Sequence, residues 1–303
     1  MDRGTEARLA KFVNGCDCKK AALALDLDGT TLIEDRGKII ISSSVEKGVK
    51  AFHDLGWPVL VNTLRFPLSV MTTVGGAWYK IANVPILTCL LNGSVLGYIK
   101  PSESSLIYEE LEAFPMAATE LDLMFKGIEE LLANGIDELL LFYYTRDWKS
   151  GETLWTPRAD RVESLKRKFV SASQVISTPI QELRSQLKSL PVCMASIFVD
   201  RPEDKLMAYQ HSKRNSFFTA KGVDKAFGLR KLAERFGLSL KDSIGAGDTE
   251  MDSFLRETGL ALIVGAGHVP YTGRADTVRV GNPNELGDVL NALANLIRNK
   301  PAA

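Results

Sequence analysis

Apolar and polar positions follow two different rhythms along this chain. Residues 21–27 (AALALDL) form a continuous apolar run ending in Asp-Gly, the pattern of a buried strand closed by a turn. Residues 44–55 carry Val45, Val49, Phe52 and Leu55 at helical spacing, with serines in front as caps. Residues 58–62 (PVLVN) predict the next strand. Residues 86–91 (ILTCLL), running into Asn92-Gly93, predict a third, with a helix before it. Strand and helix in alternation predict a parallel sheet covered on both faces.

The rhythm changes after Asn92. Residues 94–99 predict a hairpin arm and 120–133 a helix. Residues 138–144 (ELLLFYY) and 192–199 (VCMASIFV) predict strong strands, and 161–169 and 180–190 two more helices. The first pattern then returns: a helix at 224–236, strand and turn at 242–247, a short helix at 250–256, a strand at 260–264 and a helix at 285–298. The expected fold is α/β. A Rossmann-like doubly wound parallel sheet is built from residues 1–92 and 215–303, with an α+β domain inserted at 93–214.

Composition narrows the function. Lysine plus arginine equals aspartate plus glutamate at 37 each, so the electrostatic footprint of a nucleic-acid binder is missing and no such partner is expected. No apolar run approaches the ~18 residues of a membrane span, and the first twenty residues are too charged for a signal-peptide core. A cytoplasmic location with four reduced cysteines follows as the expectation. Cys16-Asp17-Cys18 supplies half a zinc site at most and is expected to be ordinary surface thiols. His53, His211 and His268 are scattered, and Gly265-Ala266-Gly267 is expected to be a turn. Neither a Gly-x-Ser-x-Gly elbow nor a Gly-x-x-x-x-Gly-Lys-Ser/Thr loop is present.

Chemistry concentrates where the predicted strands end. Ligands of open α/β sheets sit at the carboxyl ends of the strands, and those ends carry Asp26 and Asp28, Thr63 and Arg65, and Asp248 and Asp252. Asp26-Leu27-Asp28-Gly29 or Gly247-Asp248 alone is equally a polar turn or a helix cap, and Thr63 with Arg65 alone favours a structural role. Together they bring four carboxylates to one rim, where like charges raise one another's pKa values. A divalent cation relieves that cost, and carboxylate and water oxygens suit Mg²⁺ beside a substrate phosphate.

Asp26-Leu27-Asp28-Gly29-Thr30 resembles the DxDGT signature of haloacid dehalogenase-like phosphotransferases. Thr63-Leu64-Arg65 is similar to their second motif, Lys225 to the third and Gly247-Asp248-Thr249-Glu250-Met251-Asp252 to the fourth. An insert entered through Asn92-Gly93 resembles the C2-type cap of the Cof-like sugar-phosphatase branch. The resemblance implies an Mg²⁺-dependent phosphatase of small phosphorylated metabolites, sugar phosphates first, acting as a monomer or homodimer. It implies Asp26 as nucleophile and Asp28 as general acid and base. Asp26, Asp248, Asp252 and Asp28 (through its backbone carbonyl) would hold the metal. Thr63, Leu64, Arg65, Asn92 and Lys225 would contact substrate.

Three positions depart from that pattern: Leu64 and Ala226 stand where glycine is usual, and Met251 where asparagine is. They keep open a binding protein without turnover, beside a phosphomutase or phosphotransferase using the same nucleophile. Lys221 competes with Lys225, which is preferred because it opens a helix capped by Asp224. Lys205, His211, Lys213 and Arg214 are expected to form a solvated face. Tyr143, Tyr144, Arg146, Trp148 and Trp155 are either packing of the insert or a platform for substrate.

Overall fold

The structure, a computed structural model, describes residues 2–103, 105–199 and 215–300. Two compact units share the chain. Met1–Arg65, Val70–Glu112 and Asp224–Ala303 make the first, and Phe66–Ser69 and Ala113–Val223 the second. In chain order the strands are β1 (Leu23–Leu25), β2 (Leu32–Asp35), β3 (Lys38–Ile41), β4 (Val59–Asn62), β5 (Ile86–Leu90), β6 (Val95–Pro101) and β7 (Leu106–Ala113). They continue as β8 (Leu139–Thr145), β9 (Thr153–Trp155), β10 (Gln174–Ile176), β11 (Val192–Val199), β12 (Asn215–Phe218), β13 (Ile244–Gly247), β14 (Leu260–Val264) and β15 (Asp276–Val280).

The first unit is an eight-stranded sheet in the order β15-β14-β13-β1-β4-β5-β6-β7. From β15 to β5 every pair is parallel, and β6 turns back antiparallel to β5. Each residue of β1, β4, β5, β13 and β14 is buried, as expected of strands covered on both faces. The helices of this unit include α1 (Arg3–Gly15) and α2 (Ser43–Asp54), whose buried face is Val45, Val49 and Phe52. After β4 come α3 (Pro67–Val70), whose first three residues belong to the second unit, then in the first unit a π-helical turn over Met71–Gly75 and α4 (Gly76–Ala82).

The second unit carries α5 (Ala118–Ala133), α6 (Val162–Lys168) and α7 (Ile180–Lys188) beside the sheet β10-β9-β8-β11-β12. Alternation along β8 sorts its two faces. Leu139, Leu141 and Tyr143 pack with Trp155, Ala195 and Ile197 against Phe125 and Ile128 of α5 and Leu183 and Leu187 of α7. Leu140 packs on the other face with Leu154, Val175 and Leu165 of α6. Two of the aromatic residues left open above, Tyr143 and Trp155, are therefore core packing. Helices α8 (Lys225–Phe236) and α9 (Pro283–Arg298) complete the first unit, each with a side-chain cap from Asp224 or Asn282.

Several expectations change. The insert does not begin at residue 93, because β6 and β7 extend the large sheet past β5; the long stretch of the second unit runs from Ala113 to Val223, and the chain returns at Asp224. The helix expected at 250–256 is a 3₁₀ turn over Ser253–Arg256. Helix α1, the exposed hairpin β2–β3 and the edge strand β15 carry weak apolar periodicity and are found only in the structure. Cys16 is buried rather than a surface thiol, with its Sγ 2.9 Å from that of Cys18. Lys205, His211, Lys213 and Arg214 lie outside the described residues. Among the described residues no helix is long and apolar enough to cross a membrane.

Candidate active site

The site grows from sheet register. Leu25 of β1 lies opposite Val61 of β4 and Ala246 of β13. One residue further on, the three strands end together, so Asp26, the segment from Asn62 to Thr63 and the segment from Gly247 to Asp248 share one rim. The Asp26 amide donates to Ala246 O at 3.0 Å, holding the first turn beyond β1 against β13. Gly29 follows with φ +75°, and a Cβ there would lie 2.2 Å from Asp248 Oδ2. Glycine is thus required twice over, by conformation and by close approach.

Lys225 is the centre of the cluster. It is the first residue of α8, 2 % exposed, and its Nζ donates to Asp26 Oδ1 at 2.7 Å and to Asp252 Oδ1 at 2.6 Å. Asp252 is fully buried, and its Oδ2 accepts from the amides of Asp248 at 2.8 Å and Thr249 at 2.9 Å. Thr30 Oγ1 donates to Asp248 Oδ1 at 3.0 Å and lies 3.4 Å from Asp26 Oδ2. Asp26, Asp248 and Asp252 therefore offer oxygens within 4.8 Å of one another.

Three carboxylates face one ammonium, and the electrostatics show the excess. Burial pushes the Asp26 carboxyl up to about 7; Lys225 opposes that rise, and Asp252 and Asp248 reinforce it. Asp248 is raised chiefly by burial, against the Thr30 hydrogen bond. Burial works against the Lys225 ammonium, but Asp26 and Asp252 outweigh it and its pKa rises. The donor set fits a hard divalent cation: clustered carboxylate oxygens, two of them held away from ordinary ionisation, with too little positive charge of their own.

Asp28 stands apart from this cluster. Its carboxylate is held by a two-pronged pair with Arg65, Nε to Oδ2 at 2.7 Å and Nη2 to Oδ1 at 2.6 Å, and more than half of its side chain is exposed. Arg65 Nη1 also donates to Thr73 Oγ1 at 3.0 Å. Thr63 is buried where β4 ends, with its amide on Cys89 O and its Oγ1 accepting from the Arg65 amide at 3.3 Å. Leu64 is half-buried at the bend, outside the left-handed region that would demand glycine. Asn92 is buried with φ +56°, its Oδ1 unpaired, in a left-handed run from Leu91 to Gly93. A Cβ on Gly93 would lie 2.1 Å from Asp224 O, so this turn abuts the start of α8.

Lys221 is exposed in the second unit, its amide bonded to Glu120; Lys225 is the lysine that meets Asp26. Sequence reasoning gave four residues that build the cluster no part in it. Thr30 bridges two of its carboxylates, and Asn62 Nδ2 donates to Lys225 O at 3.0 Å. Asp224 and Ser253 join the loops behind Lys225. Thr30 stood inside a quoted motif and Asp224 was named as a helix cap, whereas nothing local marks Asn62 or Ser253.

Residues 23–293 match the family model for haloacid dehalogenase-like hydrolases. Among solved structures the chain is similar to the subclass IIB sugar phosphatase BT4131, at 17% identity over 91% of this chain and 98% of that one, with a TM-score of 0.62. It is similar to the phosphatase BT1666 from Bacteroides thetaiotaomicron, at 17% identity over 91% and 96%, with a TM-score of 0.60. It is also similar to a haloacid dehalogenase-like hydrolase from B. subtilis, at 17% identity over 89% and 98%, with a TM-score of 0.62. At such identities the likeness is one of fold. No curated protein sequence matches the chain.

Proposed function

Because this chain belongs to the haloacid dehalogenase-like hydrolases, we propose that it is an Mg²⁺-dependent phosphatase of small phosphorylated metabolites, sugar phosphates foremost. The observation that carries this reading is the buried Lys225 ammonium shared between Asp26 and Asp252, with Asp248 alongside. The sugar-phosphate preference rests on BT4131, a sugar phosphatase of similar fold.

Asp26 attacks phosphorus in line and the bond to the leaving oxygen breaks, giving an aspartyl-phosphate. Asp28 supplies the proton that the departing alkoxide needs, then takes one from the water that attacks the acyl-phosphate. Phosphate leaves and Asp26 is restored. Lys225 neutralises charge on the nucleophile and on the phosphoryl oxygens, and Thr63 donates its hydroxyl to one of them. Arg65, paired with Asp28 in the structure, would turn to the incoming phosphate. Asp26, Asp248 and Asp252, with the Asp28 carbonyl, would hold Mg²⁺, which when bound offsets phosphoryl charge. The site lies in the first unit, and the second unit is read as the cap of this cytoplasmic metabolite enzyme.

Phosphate release from a panel of hexose phosphates, disaccharide phosphates, phosphoglycerates, nucleotides and pyridoxal phosphate tests the reading. Metal-dependent release is expected, abolished by chelator and lowered by about 10⁴-fold or more in Asp26→Asn without loss of fold. Near wild-type release by that variant overturns the nucleophile assignment. An isomerised or transferred ester in place of free phosphate identifies a mutase or transferase.

A further inference from the structure

Lys225 has a long, flexible stem, yet its ammonium must bridge two carboxylates that come from different loops. What holds the first turn of α8 to the loop carrying Asp252 is a closed ring of hydrogen bonds behind the site. Asp224 Oδ1 accepts from the Phe227 amide at 2.7 Å and caps α8. Its other oxygen, Oδ2, accepts from Ser253 Oγ at 2.8 Å and from Arg256 Nη2 at 3.4 Å. Ser253 Oγ in turn accepts from the Ala226 amide at 3.2 Å. That amide belongs to the four that a helix N-terminus leaves without an internal partner, and here a residue 27 positions away in sequence satisfies it.

Ser253 is buried and directly follows Asp252. The next residue, Phe254, is also buried, and its ring centroid lies 5.9 Å from Lys225 Nζ. One short 3₁₀ turn thus grips both the backbone beside Lys225 and its charged end. Asn62 holds the Lys225 carbonyl from the opposite strand.

We infer that Ser253 is a positioning residue: its hydroxyl ties the first turn of α8 to the Asp252 loop and so fixes the Lys225 ammonium between Asp26 and Asp252. Its kinetic consequence rests on the phosphoryl-transfer reading given above. Its structural consequence does not.

Two variants cut the ring at different points. Ser253→Ala removes the hydroxyl, and Asp224→Ser keeps a cap for α8 but withdraws the oxygen that reaches Ser253. Each is expected to lower kcat for phosphate release about 10- to 30-fold with KM changed less than about 2-fold. The double variant should be no slower than either single one, since both break one ring. The Lys225 ammonium, protected in the wild type, should give an NMR signal near neutral pH that both variants lose to solvent exchange. Should Ser253→Ala not fold, Asp224→Ser decides alone. A retained ammonium signal, a wild-type kcat per folded enzyme, or additive losses in the double variant overturns the inference. If the wild type releases no phosphate from any ester, the functional reading falls and the ammonium signal alone decides about Ser253.

Discussion

Two ion pairs flank the same rim and differ in almost everything but their chemistry. Lys225 is sealed from solvent and bonded to two carboxylates, one fully buried and the other nearly so. Arg65 meets a carboxylate that is mostly in water. A buried pair repays its desolvation only if its geometry is fixed in advance, and removing one member costs about 3–5 kcal/mol. An exposed pair is worth about 0–1 kcal/mol and exchanges readily for another partner. The difference separates a pair sealed on both sides from one whose carboxylate stays in water.

The largest test of this contrast is Lys225→Met. Phosphate release should fall by about 10³-fold or more, with a lower melting temperature, because three crowded carboxylates lose their only close cation among the described residues. Lys221→Met should stay within about 2-fold of the wild type, as this lysine is exposed in the other unit. A larger loss in Lys221→Met than in Lys225→Met would return the third motif to Lys221.

A middle-sized effect separates protons from metal. Folded Asp26, with a pKa raised to about 7, keeps a proton that the unfolded chain releases near its ordinary value of about 4. The Asp26 contribution to the stability of the metal-free protein should therefore fall as pH rises from about 4 to about 7, a slope that Asp26→Asn removes. Lys225, raised above its ordinary value, is charged in both states across that window and adds no slope there. Since Mg²⁺ must displace the Asp26 proton, its apparent affinity should rise up to about tenfold per pH unit until about pH 7 and then level. Thermal unfolding with and without Mg²⁺, at about pH 6 and about pH 8, reads this directly. A metal-induced shift of the same size at both values would contradict the crowding of Asp26.

The smallest effect belongs to the exposed pair. Arg65→Lys keeps the charge but loses the two-pronged fit, so turnover should drop about tenfold while the melting temperature barely moves. A melting loss comparable with that of Lys225→Met would erase the distinction between the two pairs.

Much of the fold was legible because its strands are short apolar runs ended by turn residues. Residues 192–199 and 260–264 are strands with the expected bounds. Lys225 was legible because Asp224 announces a helix start. The extent of the insert was not, since β6 and β7 resemble a hairpin and only pairing with β5 assigns them to the large sheet. The Asp28–Arg65 pair was equally hidden: Asp28 was expected to act as general acid and base and Arg65 to meet substrate, and their bond to each other spans 37 positions.

By itself the sequence determined which strands end in clustered carboxylates, because the turn that closes a buried strand and the carboxylates within it are local, spelled by neighbouring residues. Only the tertiary structure decided which charges are paired, which are buried and what stands behind them. Ser253 reaches Asp224 and Ala226, and Asn62 reaches Lys225, across separations that no local pattern encodes. Burial and hydrogen-bond partnership are properties of packed elements, and packing brings together residues that the chain keeps far apart.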